Sequence, residues 1–120
     1  MASEVTHLFG ALGTRLVLLT GCCGAWADGI QAGDLFIPTR AYCGEGAAQY
    51  YVGAKSEVVP TANPGNPPAT SMNANTLRVV RGGIYTTAAL FAEGTNEIER
   101  WASDGWDAVD MEAATTFAVA

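Results

Sequence analysis

Positive charge and histidine are both scarce in this 120-residue chain. Six Lys and Arg stand against twelve Asp and Glu, giving a net charge of −6, and there is one His. The basic residues form no cluster, which argues against DNA or RNA as a partner while leaving room for a small anion held by a few local groups. Three cysteines, two of them adjacent, make a poor disulfide framework, and Cys22–Cys23 lacks the spacing of a metal site. With a single His, zinc is not expected. The apolar run Leu16–Leu19 is interrupted at Thr20-Gly21 and is far too short to span a bilayer. Met1-Ala2-Ser3-Glu4 has no basic n-region. These absences lead to the expectation of a cytoplasmic protein with reduced thiols, no metal, and neither membrane nor nucleic acid as partner.

What is present is a globular composition, 49% hydrophobic, sufficient for one domain and one core. Val5, Leu8, Phe9 and Leu12 fall at i, i+3, i+4, i+7, which predicts a helix over 3–12 stopped by Gly13. Arg15–Thr20 is a continuous Leu/Val run, expected to be a buried strand ending in Gly21-Cys22-Cys23-Gly24. Turns are expected at Asp28-Gly29 and Ala32-Gly33-Asp34, followed by a strand at Leu35-Phe36-Ile37 closed by Pro38. The Pro- and Asn-rich stretch 55–76 reads as a surface loop. Strand character returns from Leu77 to Thr87. A helix then opens at Gly94-Thr95, with Thr95 as N-cap and Ile98, Trp101 and Ala102 facing inward. Interleaved helices and strands make the class α/β. The expectation is a three-layer mixed sheet with strands near 15–20, 34–41, 78–87 and 107–110, flanked by helices near 3–12, 95–103 and 111–120.

Two stretches could carry chemistry. The first is Gly21–Gly24, a strand-end turn whose backbone N–H groups suit an anion or a sugar hydroxyl, although glycines there also satisfy purely backbone needs. The second is Asp110-Met111-Glu112, two acids between a short strand and an apolar helix. Asp110 as a helix cap and Glu112 as a first-turn acid is the structural alternative. Cys22 and Cys23 have no His near them in sequence, and His7 is expected on the exposed side of its helix. Tyr50, Tyr51, Phe91 and Trp106 read as core or lid residues.

The order Gly13-Thr14-Arg15, Thr20–Ala25, Ala32–Leu35, Glu45–Tyr51, Gly83–Thr87 with Phe91, and Val109–Ala114 resembles the nucleoside phosphorylase/uridine phosphorylase family. The resemblance covers nearly the whole chain. It implies a partial domain over 1–120, longer in the family, and therefore incomplete at both ends. It also implies a pentosyltransferase that cleaves a nucleoside with phosphate as co-substrate, yielding free base and ribose 1-phosphate without a further cofactor. Glu112 would accept hydrogen bonds from the ribose hydroxyls and act as the catalytic residue, Met111 would pack on the ribose, and Gly21 and Cys22 would face phosphate and sugar. Family members are homo-oligomers, so a homo-oligomer is expected. The chain departs from the family at Leu19, where many phosphorylases carry Arg, and at Cys22, where Ser or Thr is usual. It departs again at Ala88, where purine-acting members carry Asp, and in Phe91–Glu99, which lacks the Gln and Arg that read uracil. A non-catalytic nucleoside binder and a phosphate-independent nucleosidase are accordingly the alternatives.

Overall fold

The computed structural model describes residues 2–54, 56–61 and 78–120. Helix α1 (Ala2–Ala11) leads into β1 (Gly24–Ala25), β2 (Leu35–Cys43), α2 (Gln49–Val52), β3 (Glu57–Val58), β4 (Val79–Thr86), a 3₁₀ turn (Leu90–Ala92), α3 (Thr95–Ser103), β5 (Ala108–Asp110) and α4 (Ala113–Val119). The sheet order is β1-β5-β4-β2-β3. Its three central strands are parallel, and the two-residue strands β1 and β3 pair antiparallel at the edges. The α/β class and the mixed sheet flanked by helices are those expected from the sequence.

Side-chain alternation along the strands splits the core into two faces. Ala41 and Cys43 of β2, Ile84 of β4 and Ala108 of β5 point to one face, against Ala113, Ala114 and Phe117 of α4 and Ala48 before α2. Tyr42, Tyr85 and Val109 point to the other, against Trp101 of α3, Trp106 and Trp26. The first face is built of small residues, so α4 sits close on the strands. The second is an aromatic stack in which the Tyr85 ring lies 4.7 Å from Tyr42 and 4.2 Å from Trp101, both face to face. Thr86 is the largest side chain that is completely buried among the described residues, so a hydroxyl is sealed in at the carboxyl end of β4.

Close backbone approach explains several glycines. A Cβ on Gly44 would stand 2.5 Å from the Tyr85 ring and 2.6 Å from the Thr86 carbonyl oxygen, and one on Gly83 would stand 2.8 Å from the Trp106 ring. Gly13 ends α1 with φ +86°: the Thr14 N–H reaches the Phe9 carbonyl at 3.0 Å, and the Gly13 N–H that of Gly10 at 2.9 Å. Arg78 pairs with Asp34 and also reaches the Gly29 carbonyl, clamping the amino ends of β4 and β2 together.

Five details differ from the sequence expectations. Arg15–Thr20 forms no strand, and Leu16, Leu18 and Leu19 are exposed. The place beside β5 is taken by Gly24–Ala25. Helix α1 forms where periodicity puts it but faces the other way. Ser3 and Thr6 are buried, whereas Val5, Leu8, Phe9 and Leu12 are exposed, because α1 packs on α4 through its small residues. Strand β2 runs through Pro38 to Cys43, with an irregularity between Pro38 and Arg40 that absorbs the missing N–H. Gly94, not Thr95, occupies the cap position of α3, and Ala102 is exposed. Within the expected 55–76 loop, Glu57–Val58 is strand β3; residue 55 and residues 62–76 lie outside the described residues.

Candidate functional site

Because β2, β4 and β5 are parallel and in register (Cys43↔Thr86↔Asp110), their carboxyl ends emerge together. The segments that follow them are Gly44–Ala48, Thr87–Ala92 and Met111–Glu112. Ligands of open α/β sheets bind beyond this edge. At its centre Thr86 donates its hydroxyl to Asp110 Oδ1 at 2.7 Å and accepts the Ala114 N–H at 2.9 Å. The Ala113 N–H donates to Asp110 Oδ2 at 2.7 Å, and the Glu112 N–H at 3.3 Å. Asp110 therefore caps α4 and ties it to β4. Burial pushes its carboxyl above the ordinary 3.8, against the lowering effect of these hydrogen bonds. With both oxygens engaged, Asp110 is a structural acid.

Glu112 follows directly, just before α4, with its side chain exposed and making no capping bond. Met111 beside it is also exposed. Gly21 and Cys22 lie in the irregular segment before β1, exposed as well. Strand pairing brings the two stretches alongside each other: Gly24 stands opposite Val109, and Ala25 opposite Ala108. The Asp110 carboxylate acts on the Cys23 thiol, which desolvation foremost, then Asp110 and Cys22, push above its ordinary value. Gly24 of the glycine corner thus stands across the ladder from Val109, the residue before Asp110, and Gly21, Cys22, Met111 and Glu112 are exposed.

The rest of this edge is mixed: Ala48 and Thr87 are buried, whereas Gly44 and Ala88–Phe91 are exposed. Phe91 projects wholly into solvent, so it is not a core residue. Glu45 accepts N–H groups from Ala47 and Ala48, tightening the loop ahead of α2. That loop, with Tyr50, borders an open hollow of about 580 Å³. His7 is exposed on α1 with its ring 6.0 Å from that of Tyr51 in α2. Among the described residues no group of three or more His, Cys, Asp or Glu could hold a metal, and no helix is long and apolar enough to cross a membrane. Reading the sequence alone overlooked Thr86 as the hub of this edge. Its signal was a hydroxyl residue at the end of an otherwise apolar strand, opposite an acid at the end of the next.

Residues 1–120 match the family described as the phosphorylase superfamily. The chain belongs to that superfamily. As a phosphorylase-superfamily protein it is 28% identical over 109 residues to a guanosine phosphorylase of Halorubrum lacusprofundi, a match covering 91% of this chain and 45% of that one. Its fold resembles the AMP nucleosidase of Bacteroides thetaiotaomicron, with TM-score 0.80 and 23% identity over 98% of this chain and 52% of the other. It equally resembles the uridine phosphorylase of Vibrio fischeri, with TM-score 0.83 and 18% identity over 98% and 50%. The chain thus spans about half the length of these relatives, and phosphorylase and nucleosidase folds both stand among them.

Proposed function

We propose that this phosphorylase-superfamily chain serves as a pentosyltransferase of nucleosides. Phosphate attacks C1 of the ribose, the C1–N bond to the base breaks, and free base and ribose 1-phosphate leave. The observation that carries this reading is the Gly24↔Val109 pairing, which joins the end of the Gly21–Gly24 corner to the strand that leads into Met111 and Glu112. In this reading Glu112 accepts the ribose hydroxyls, Met111 covers the sugar, and the Gly21 and Cys22 amides face phosphate and sugar. Cleavage passes through an oxocarbenium-like state, and hydrogen bonds to the adjacent hydroxyl strengthen as positive charge develops at C1. No cofactor beyond phosphate is invoked. We place the protein in the cytoplasm as a homo-oligomer acting on small molecules. Guanosine, inosine and uridine are the substrates to try first, since a guanosine phosphorylase is among the relatives.

The test is release of free base with and without phosphate, with ribose 1-phosphate measured directly. Phosphate-dependent release that is lost in Glu112→Ala, with the fold intact, is the expected result. A folded protein that turns over none of the panel counts against it.

Leu19 favours a second reading. It brings no charge to the turn where many phosphorylases place Arg, so water could replace phosphate, or the chain could bind nucleosides without cleaving them. Base release indifferent to phosphate marks the hydrolase. Calorimetric binding of nucleoside without turnover marks the binder.

A further inference from the structure

The enzymatic reading uses the amide of Cys22 and neither sulfur of the adjacent pair. Cys22 and Cys23 are both exposed, whereas Cys43 is buried in the core. The segment 14–23 that carries the pair is irregular backbone, and Gly21 and Gly24 flank it. Two thiols are thus open to small molecules at a corner with room to adjust.

Adjacency decides what they can do. The peptide between them is trans, so their Cα atoms stand about 3.8 Å apart. An unstrained disulfide spans roughly 4.4–6.8 Å between Cα atoms. A Cys22–Cys23 disulfide is therefore strained and easily reduced, which suits a transient species and not a staple. The two sulfurs also differ. Desolvation first, then the charges of Asp110 and Cys22, favour the neutral form of Cys23, and the nucleophile in disulfide exchange is the thiolate. The first attack falls to Cys22.

We propose that Cys22 and Cys23 form a reversible thiol–disulfide exchange site for a low-molecular-weight disulfide of the glutathione type, with Cys22 attacking and Cys23 resolving. The Cys22 thiolate attacks one sulfur of the small disulfide. Its S–S bond breaks, a mixed disulfide forms on Cys22, and the first thiol leaves with the proton that Cys22 gave up. Cys23 then loses its proton and attacks the Cys22 sulfur. The second thiol leaves with that proton, and the strained Cys22–Cys23 disulfide remains until excess thiol reduces it. The pair gives two electrons and the small disulfide takes them.

The test is incubation of the full chain with glutathione disulfide at mildly alkaline pH, followed by intact mass and peptide mapping. The expected first product carries one glutathione on Cys22. It gives way to a species lighter than the starting protein by two hydrogens, and dithiothreitol restores the original mass. In Cys23→Ser the adduct on Cys22 should persist, and in Cys22→Ser the glutathione should reach Cys23 several-fold more slowly. Circular dichroism checks that both variants are folded, and the wild-type masses decide the matter if either is not. No adduct, equal labelling of Cys22 and Cys23 without the lighter species, or an adduct in Cys23→Ser that clears as fast as in the wild type overturns the proposal. The effect on turnover rests on the reading of the corner given above: an adduct on Cys22 should suppress base release until dithiothreitol removes it. The mass measurement needs no catalysis, so the two readings fail separately.

Discussion

Replacing Thr86 with Val keeps the shape of this buried side chain and removes one oxygen. Two losses follow: the Ala114 N–H loses its acceptor, and Asp110 Oδ1 loses its donor. A buried N–H left without a partner costs about 1–3 kcal/mol, and a hydrogen bond to a charged group contributes about 1.5–3 kcal/mol. The two are coupled, so Thr86→Val should destabilise by about 3 kcal/mol, a large part of the roughly 5–15 kcal/mol that holds a domain folded. Thr86→Ser, which keeps the hydroxyl and loses a methyl, should cost about 1 kcal/mol. Urea unfolding measures both, as shifts in midpoint at constant slope. The sign of the pH dependence follows from the raised Asp110. A carboxyl whose pKa is raised by folding contributes most to stability below its ordinary 3.8, and that contribution is lost as pH climbs through the raised value. Thr86 opposes this loss by donating to the charged form, so the deficit of Thr86→Val should be smaller in acid than at pH 7. A valine variant as stable as the serine one, or a deficit independent of pH, would refute the latch between β4 and α4.

Gly44→Ala drives a Cβ against the Tyr85 ring and the Thr86 carbonyl and should cost about 1–3 kcal/mol, read as a lowered urea midpoint. Asp110→Asn removes the carboxylate that helps hold up the Cys23 thiol, so iodoacetamide should label Cys23 faster at mildly alkaline pH, as peptide mass mapping would show. An unchanged rate would separate the glycine corner from β5. Without denaturant, Cys22 and Cys23 should be modified and buried Cys43 spared, giving two labels that become three in urea. Arg40 stacks 4.2 Å from the centre of the Trp106 ring and donates to the Gly105 carbonyl at 2.8 Å. Arg40→Lys should therefore lose about 1 kcal/mol and red-shift tryptophan emission, since an ammonium reproduces neither the plane nor the fork.

Strands β2, β4 and β5, helices α1 and α3 and the turns at Gly29 and Gly33 were legible because each rests on a local pattern: alternation, a 3.6 period, or glycine at positive φ. The orientation of α1 was not. Periodicity shows that Val5, Leu8, Phe9 and Leu12 share a side, and says nothing of what that side meets. Arg15–Thr20 failed for a related reason. A continuous Leu/Val run expresses a demand for burial, while strand formation depends on which neighbour the run meets, and the segment that pairs with β5 is Gly24–Ala25. Strands β1 and β3 and helix α2 are too short for any period to register. At the strand ends, Asp110 as the cap of α4 was available from its position alone. The partnership with Thr86 spans 24 residues and is visible only once β4 and β5 lie in register.

The two-residue margins of the sheet also govern how this molecule can grow. A template for fibril formation is a long, flat strand with its amides bare, and here each margin ends after two residues. Where β2 runs past β3 it carries Pro38, which has no N–H to offer an incoming backbone. Where these short strands and Pro38 lie, stacking by backbone ladders is thus discouraged.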